Sequence, residues 1–397
     1  MIVLDAALLL LALPVLFVCG YLGLLALLSA RVSPPPAVAP TARFDFLVPA
    51  HDEEGGIART VRSLLAVDYP AELRRVVVVA DNCSDRTAER ARQAGARVIE
   101  RRDPERRGKG HALALAFEHS LQEGFADAVV VVDADTVVAP NLPRAFAAHL
   151  AAGAQAMQAE YGVLNPEASW RTRLLTIALA LFHDVRSRAR ERLRVSCGLR
   201  GNGMCFSARL LREVPYDAFS VVEDLEHGLT LGRAGHRVHY VGETRVLGEM
   251  ASRAQTSRSQ RRRWESGRRD FARREGPALL HEGLVRRDPV LFDLGLDVLV
   301  PPLSRVAALC LAGLAAAGLG ILAAGRALFA LWPWSLATLL LVAYVVRGWQ
   351  VSGSGARGLL DLACAPLYAL WKLTLLRRRP GESGTRWIRT TREGGTR

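Results

Sequence analysis

The chain has 397 residues, 52 basic against 39 acidic, a formal charge of +13, and half of its residues are hydrophobic. That apolar content excludes a disordered chain. Its six scattered cysteines (Cys19, Cys83, Cys197, Cys205, Cys310, Cys364) form no C-x-x-C pair, which argues against a disulfide scaffold or zinc ribbon. Lysine occurs only at Lys109 and Lys372, so the basic excess is almost all arginine. Such charge suits nucleic acid or a face lying on anionic lipid, and the apolar segments favour lipid.

From Ala6 to Ala30 the sequence carries no charge, and about 20 apolar residues suffice to cross the hydrocarbon core. This segment is too long for the apolar region of a signal peptide, and no Arg or Lys precedes it, so a spanning helix is expected. Arg31 and Arg43 flank the Pro-rich stretch that follows and place the rest of the chain on the cytoplasmic side.

Beyond the linker, short β-branched runs alternate with helical stretches. Strands are expected at Phe44 to Ala50, Arg75 to Ala80, Arg97 to Glu100 and Ala128 to Val132. Helices are expected at Ile57 to Ala66, Arg86 to Ala94, Gly110 to Glu123 and Leu142 to Ala151. This α/β alternation gives a doubly wound parallel sheet with its ligand beyond the carboxyl ends of the strands. Trp170 to Arg194 is a long amphipathic stretch, suited either to the membrane interface or to core packing.

Near the C-terminus, the apolar runs from about Leu299 and on to Val346 form a helical hairpin with a short turn at Arg326. Leu359 to Leu376 contains Asp361, Pro366 and Lys372 and is barely long enough to cross. An interfacial segment is favoured over a fourth span, because crossing would put the arginine-rich tail outside. The expected domains are therefore a membrane helix at 1–30, a linker at 31–43, a cytoplasmic domain at 44–287, a membrane hairpin at 288–346, an interfacial or fourth span at 347–376 and a basic tail at 377–397.

Three strands end in acids: VPAHDEE after the first, ADNCSD after the second and DADT after the fourth. Asp133 and Asp135 flank one residue, so both carboxylates point toward the same open edge and suit a metal-bound diphosphate. Neither G-x-G-x-x-G nor G-x-x-x-x-G-K-[ST] follows the first strand, which disfavours a dinucleotide oxidoreductase and a P-loop NTPase. Lys109 lies between Gly108 and Gly110, where its ammonium could reach phosphate.

Val48 to Glu54, Asp81 to Asp85, Asp133 to Asp135, Val222 to Asp224 and Gln260 to Trp264 resemble, in order, the motifs of membrane-embedded family 2 glycosyltransferases, a group that includes the cellulose, chitin and hyaluronan synthases. The resemblance covers about Phe44 to Arg269 and implies a GT-A-like nucleotide-sugar-binding domain joined to transmembrane helices.

By that resemblance Asp224 is the general base, and Asp135, with Asp133, holds Mg2+ or Mn2+. The donor would be contacted by Pro49, Ala50, Glu53, Asp81, Asp85, Lys109, Asp133, Gln260 and Arg263, and the acceptor by Asn202, Glu223 and Trp264. Asp85 could instead cap the helix that follows it, and Asn202 could be a simple turn residue. Gln260, Arg263 and Trp264 are expected to turn inward, with Arg261 and Arg268 outward.

The implied activity is inverting transfer from a nucleotide sugar, UDP by analogy, to a saccharide or lipid-linked acceptor at the bacterial inner membrane, in cell-envelope or exopolysaccharide synthesis. Alternatives are a processive polysaccharide synthase and an inactive membrane partner of another synthase. The expected partners are the donor, the acceptor, membrane lipid and a second copy or synthase subunit, with no nucleic acid.

Overall fold

A computed structural model describes residues 2–250, 254–324 and 329–364, with the side chains of 254–266 outside that description. The elements run in chain order as α1 (Ile2–Leu27), β1 (Phe44–Ala50), α2 (Ile57–Leu65), β2 (Arg74–Asp81), α3 (Thr87–Gln93), β3 (Arg97–Arg101), α4 (Lys109–Glu123), β4 (Ala128–Val131), β5 (Thr136–Val138), α5 (Leu142–Ala151) and β6 (Ala156–Val163). There follow α6 (Trp170–Leu179), a π-helical turn (Ala180–Val185), α7 (Arg186–Arg192), β7 (Met204–Ser207), α8 (Ala208–Glu213), α9 (Glu223–Arg233), β8 (Val238–Gly248), α10 (Ala254–Arg286), α11 (Pro289–Leu299), α12 (Leu303–Ala324), α13 (Leu331–Ser352) and α14 (Gly355–Leu362).

The eight strands form one sheet in the order β3-β2-β1-β4-β7-β6-β8-β5. Its first half is parallel, with Ala50 paired to Ala80 and Leu47 to Val131, so β1, β2 and β4 end together at one edge. That half carries all four strands expected from the sequence.

The expectation of a parallel sheet fails at β7, which runs antiparallel to both β4 and β6, and at β5, which runs antiparallel to β8, whereas β6 and β8 pair parallel. The reversal at β5 has a local reason. Residues 132–135 turn the chain directly from β4 into the short β5, with no crossover helix to keep the direction.

Apolar layers cover both faces. Phe46, Val48, Ile57 and Phe146 pack on one side, and Leu47, Val79, Leu113 and Phe206 on the other. Asp45 is buried within β1, where Arg75 donates to both of its oxygens at 2.7 Å and Ser120 donates at 2.5 Å. Pairing and hydrogen bonding make that buried carboxylate tolerable.

Among the described residues, three helices are long and apolar enough to cross a membrane: Val3–Leu27, Leu303–Ala323 and Leu331–Ser352. Ala12, Leu22, Ala317, Ala337 and Tyr344 pack among them, and Ile177, Leu181 and Val185 of α6 and the π-turn join the same cluster. The amphipathic stretch is thus the packing layer between sheet and membrane helices.

The expected hairpin region starts with a different kind of helix. In α11, Leu291, Leu294 and Val298 are buried against Leu229 of α9 and Phe271 and Leu279 of α10. Asp288 caps α11, accepting from the Val290 and Leu291 amides at 2.8 and 3.2 Å. Of the expected Leu359 to Leu376 segment, only the part up to residue 364 is described, as the end of α14.

Candidate active site

The acid motifs converge at the edge where β1, β2 and β4 end. Residues 132–135 leave β4 and turn, and the turn is held from the loop before β7. The Asn202 side chain accepts from the Asp133 amide at 3.1 Å and donates to Thr136 Oγ1 at 2.8 Å. Gln158 of β6 donates to the Asn202 carbonyl at 2.7 Å and accepts from the Arg200 amide at 2.9 Å.

Asn202 therefore does not have the acceptor-facing place expected of it. It is fully buried, and its amide is spent on fixing the Asp133 turn.

Lys109 opens α4 and crosses this gap. Its ammonium donates to Asp133 Oδ1 and to the Gly201 carbonyl, both at 2.5 Å, and lies 3.9 Å from Glu223 Oε1. Gly201 has φ +76°, and a Cβ there would lie 3.4 Å from Asp224 Oδ2 and 3.5 Å from Lys109 Nζ. Only glycine combines that backbone with so close an approach. Lysine, D-x-D turn and the Glu223-Asp224 pair thus share one small space.

Glu223 and Asp224 occupy the first turn of α9, whose dipole favours negative charge. Burial, partly offset by Lys109, lifts Glu223 to about 7, with the Asp224 charge adding to the rise. Burial likewise raises Asp224, against the Leu225 amide that donates to it at 2.8 Å. Burial alone would lower the Lys109 ammonium, but Asp133, Glu223 and Asp224 hold its pKa above the usual value.

Tyr161 stands beside the same acids, and enclosure followed by the charges of Asp133 and Asp135 raises its phenol. His183 of the π-turn stacks on it at 5.1 Å and 20°, and its Nδ1 lies 3.0 Å from the Tyr161 carbonyl. Burial drives that imidazole to about 3, so it is neutral. His183 and Asp184 thus serve the packing of the π-turn. Asp184 is taken up by Arg188 at 3.2 Å and by the Tyr240 hydroxyl.

At the end of β2, Asp81 is 5% exposed and paired with Arg101 at 2.6 Å. Asn82 adds a 2.9 Å bond to Asp81, and His51 Nδ1 lies 2.6 Å from the Asp81 carbonyl. Pro49 and Ala50 end β1 alongside, and Glu53 follows, its amide donating to Thr87 Oγ1 at 2.7 Å.

Asp85 accepts from the Thr87 amide at 2.9 Å and from the Glu54 amide at 3.2 Å, so it ties the first residue of α3 to the loop after β1. With Asp52 and Cys83 it forms a close group, but Ser84 and Thr87 already bond the carboxylates and burial lifts the thiol to about 11. A protonated thiol is a poor metal ligand.

Asp133 and Asp135 fit a metal better. Two carboxylates on one turn supply the hard oxygens that Mg2+ or Mn2+ takes, leaving other positions to phosphate and water.

Gln260, Arg263 and Trp264 lie on α10, but their side chains are outside the described residues, as is that of Arg261. Arg268 is described and corrects the expectation that it faces outward. Its guanidinium lies 4.5 Å from the Phe182 ring centre and donates to the Asp297 carbonyl at 3.1 Å. The buried α11 carboxylates draw it in.

Gln158, Tyr161 and Arg101 have no motif in the sequence. Gln158 alone left a trace, as a polar residue in an apolar strand.

A family model described as Glycosyltransferase like family 2 matches residues 40–267. The probable glycosyltransferase YdaM of Bacillus subtilis is 25% identical over 208 residues, which are 49% of this chain and 47% of that protein. The β-monoglucosyldiacylglycerol synthase of Synechocystis is 27% identical over 265 residues, 62% of this chain and 54% of that protein. The chain thus spans about half the length of these curated relatives. Among solved structures, the mannosyltransferase PcManGT from Pyrobaculum calidifontis, in complex with GDP-Man and Mn2+, covers 88% of this chain and 96% of its own at 20% identity and TM-score 0.51, a likeness of fold.

Proposed function

The chain belongs to the Glycosyltransferase like family 2, and from that premise we propose that it transfers one hexose, with inversion, from a nucleoside-diphosphate sugar to a lipid-linked acceptor at the cytoplasmic face of a membrane. The observation that carries this reading is the meeting of Lys109, Asp133, Gly201 and Asp224 at one point. A phosphate-binding cation and a half-buried base stand there within a few ångströms of each other.

Asp224 takes the proton of the acceptor hydroxyl as its oxygen attacks the anomeric carbon. The C1–O bond to the diphosphate breaks as the C1–O bond to the acceptor forms, and the diphosphate leaves with the bonding electrons. Lys109 meets the growing charge, and Gln260 and Arg263 of α10 are proposed to add to it. When bound at Asp135 and Asp133, Mg2+ or Mn2+ supplies Lewis-acid neutralisation of that diphosphate. Asp81 and Asp85, with Pro49, Ala50 and Glu53, are proposed for the base and ribose end, and Glu223 and Trp264 for the acceptor.

Two points favour a single transfer over a processive synthase. The three membrane-length helices pack directly on one another through Leu22, Ala317 and Ala337. The Synechocystis relative, moreover, is named for a single glucosyl lipid.

The test is nucleoside-diphosphate release by the detergent-purified protein over a panel of UDP- and GDP-hexoses with Mn2+ or Mg2+, with and without membrane lipid, and with the product extracted into butanol. Lipid-stimulated release with one sugar on an extractable product is expected. A ladder of polymer would establish the processive alternative, and no release from any donor would sink the reading.

A further inference from the structure

Outside the catalytic edge, a cavity of about 390 Å3 lies where the sheet domain meets the membrane helices. It is walled by α6 and the π-turn, by α10, by the chain corner at 298–303 and by Tyr344 of α13. Arg186, Arg268, Arg269, Arg273 and Arg305 line it, and among the described residues no carboxylate does. Asp297 sits behind the wall but is already committed, with Arg186 at 2.8 Å and Arg190 at 3.1 Å.

Among the described residues, Arg269, Arg273 and Arg305 form no ion pair with an acid. Arg268 is depressed to about 10, by burial first and by Arg186, Arg200 and Arg190 in turn, against the opposing pull of Asp297. Arg269 and Arg305 are half-buried and Arg273 is exposed at the rim, and such an excess of guanidinium around a partly enclosed cavity calls for an anion.

The rest of the lining is hydrocarbon: Leu181, Val298, Leu299, Val300 and Leu303. Leu303 begins one membrane-length helix, so the cavity opens at the level of that helix's end. An occupant with an anionic head and an apolar body matches both halves of the lining.

The cavity also leads to the catalytic edge. Phe182 forms part of its wall, and Arg200 stacks on the same ring at 4.2 Å. The next residue, Gly201, borders Asp224 and Lys109, while His183 stacks on Tyr161 beside Asp133.

We infer that this arginine-lined cavity seats the phosphate head of the membrane lipid that carries the acceptor, with the lipid's apolar chain lying against the 298–303 corner. The inference rests on the proposed transfer to a lipid-linked acceptor and names the head group that the lipid must have. Arg269, Arg273 and Arg305 bind the phosphate, and Phe182 separates it from the base at Asp224.

The test measures equilibrium binding of farnesyl phosphate, dioctanoyl phosphatidate, dioctanoylglycerol and inorganic phosphate to the full chain in detergent. UDP binding with Mn2+ is measured on the same preparations. The two lipid phosphates are expected to bind at least about tenfold tighter than dioctanoylglycerol or phosphate alone. Preference between them tells a prenyl from an acyl lipid. Arg273→Gln with Arg305→Gln together, and separately the cavity-filling Ala178→Trp, should each weaken lipid-phosphate binding about tenfold and leave UDP binding unchanged.

Equal binding of dioctanoylglycerol would overturn the inference, as would unchanged binding in the double arginine variant or inorganic phosphate binding as tightly as the lipids. Loss of UDP binding in the unaltered protein would instead count against the proposed transferase function. An Ala178→Trp protein that fails to fold leaves the arginine variant to decide.

Discussion

Two clusters of enclosed charge face each other across the π-turn, and they are balanced in opposite ways. At the sheet edge three acids, Asp133, Glu223 and Asp224, crowd around Lys109, with Arg200 and Arg268 acting on Asp224 less strongly than Lys109 does. On the membrane side Arg186, Arg190, Arg200 and Arg268 surround Asp297, with Asp293 as the second acid. Burial would raise Asp297, yet Arg190, Arg186 and Arg268 hold it well below the usual carboxylate range. At the sheet edge burial wins, and Glu223 and Asp224 are raised. An acid surrounded by cations is fixed as structure, whereas acids short of cations are left able to take a proton.

That contrast can be broken from either side. Asp224→Asn removes the proton acceptor and should lower transfer by about 10²–10⁴-fold while UDP binding with Mn2+ is kept, as steady-state rates and equilibrium binding would register. Thermal melting should not fall in that variant, because a raised, crowded carboxylate is lost.

Asp297→Asn should do the reverse to stability. It strands buried guanidinium groups, and about 3–5 kcal/mol of unfolding free energy is expected to go, seen as a large drop in melting temperature.

Lys109→Met touches the acid cluster less drastically. It is expected to weaken donor binding about tenfold, the scale of one charge-assisted phosphate contact. Without that cation the charged forms of Glu223 and Asp224 lose support, so their pKa values rise and the acid limb of the pH–rate profile moves to higher pH.

The smallest effect is in the unaltered protein. Activity should fall on acidification through a pH above the ordinary carboxylate range, since Asp224 is raised and must be deprotonated to work, while Glu223 titrates near 7. A profile flat from pH 5 to 8 would mean that neither acid limits the rate.

How much of this the sequence showed follows from chain locality. β1, β2 and β4 are nearly continuous apolar runs, and the acids ending them lie within a few residues of their strand, so these strands and the D-x-D turn were all legible. Strands β5 to β8 were not, being short or interrupted by polar residues such as Gln158 and Glu160, and paired across long separations.

Asn202 was found, with an acceptor contact and a turn role both open. That its amide fixes the Asp133 turn depends on packing across 69 residues of chain. The arginine cluster was hidden altogether, because arginine is common throughout this chain and nothing local distinguishes Arg186 or Arg268 from their neighbours. Asp293 and Asp297, one turn apart in an apolar helix, were the available signal.

The most direct test of the account is the assignment of Asp224 as the base beside the Lys109 and Asp133 contact. Label transfer from the preferred nucleotide sugar to the lipid-extractable product should be followed in the purified protein and in Asp224→Asn, with UDP and Mn2+ binding measured alongside. The account predicts transfer reduced by at least about 10² with nucleotide binding intact. Transfer within a few-fold of the unaltered protein would contradict it and move the base elsewhere in the site.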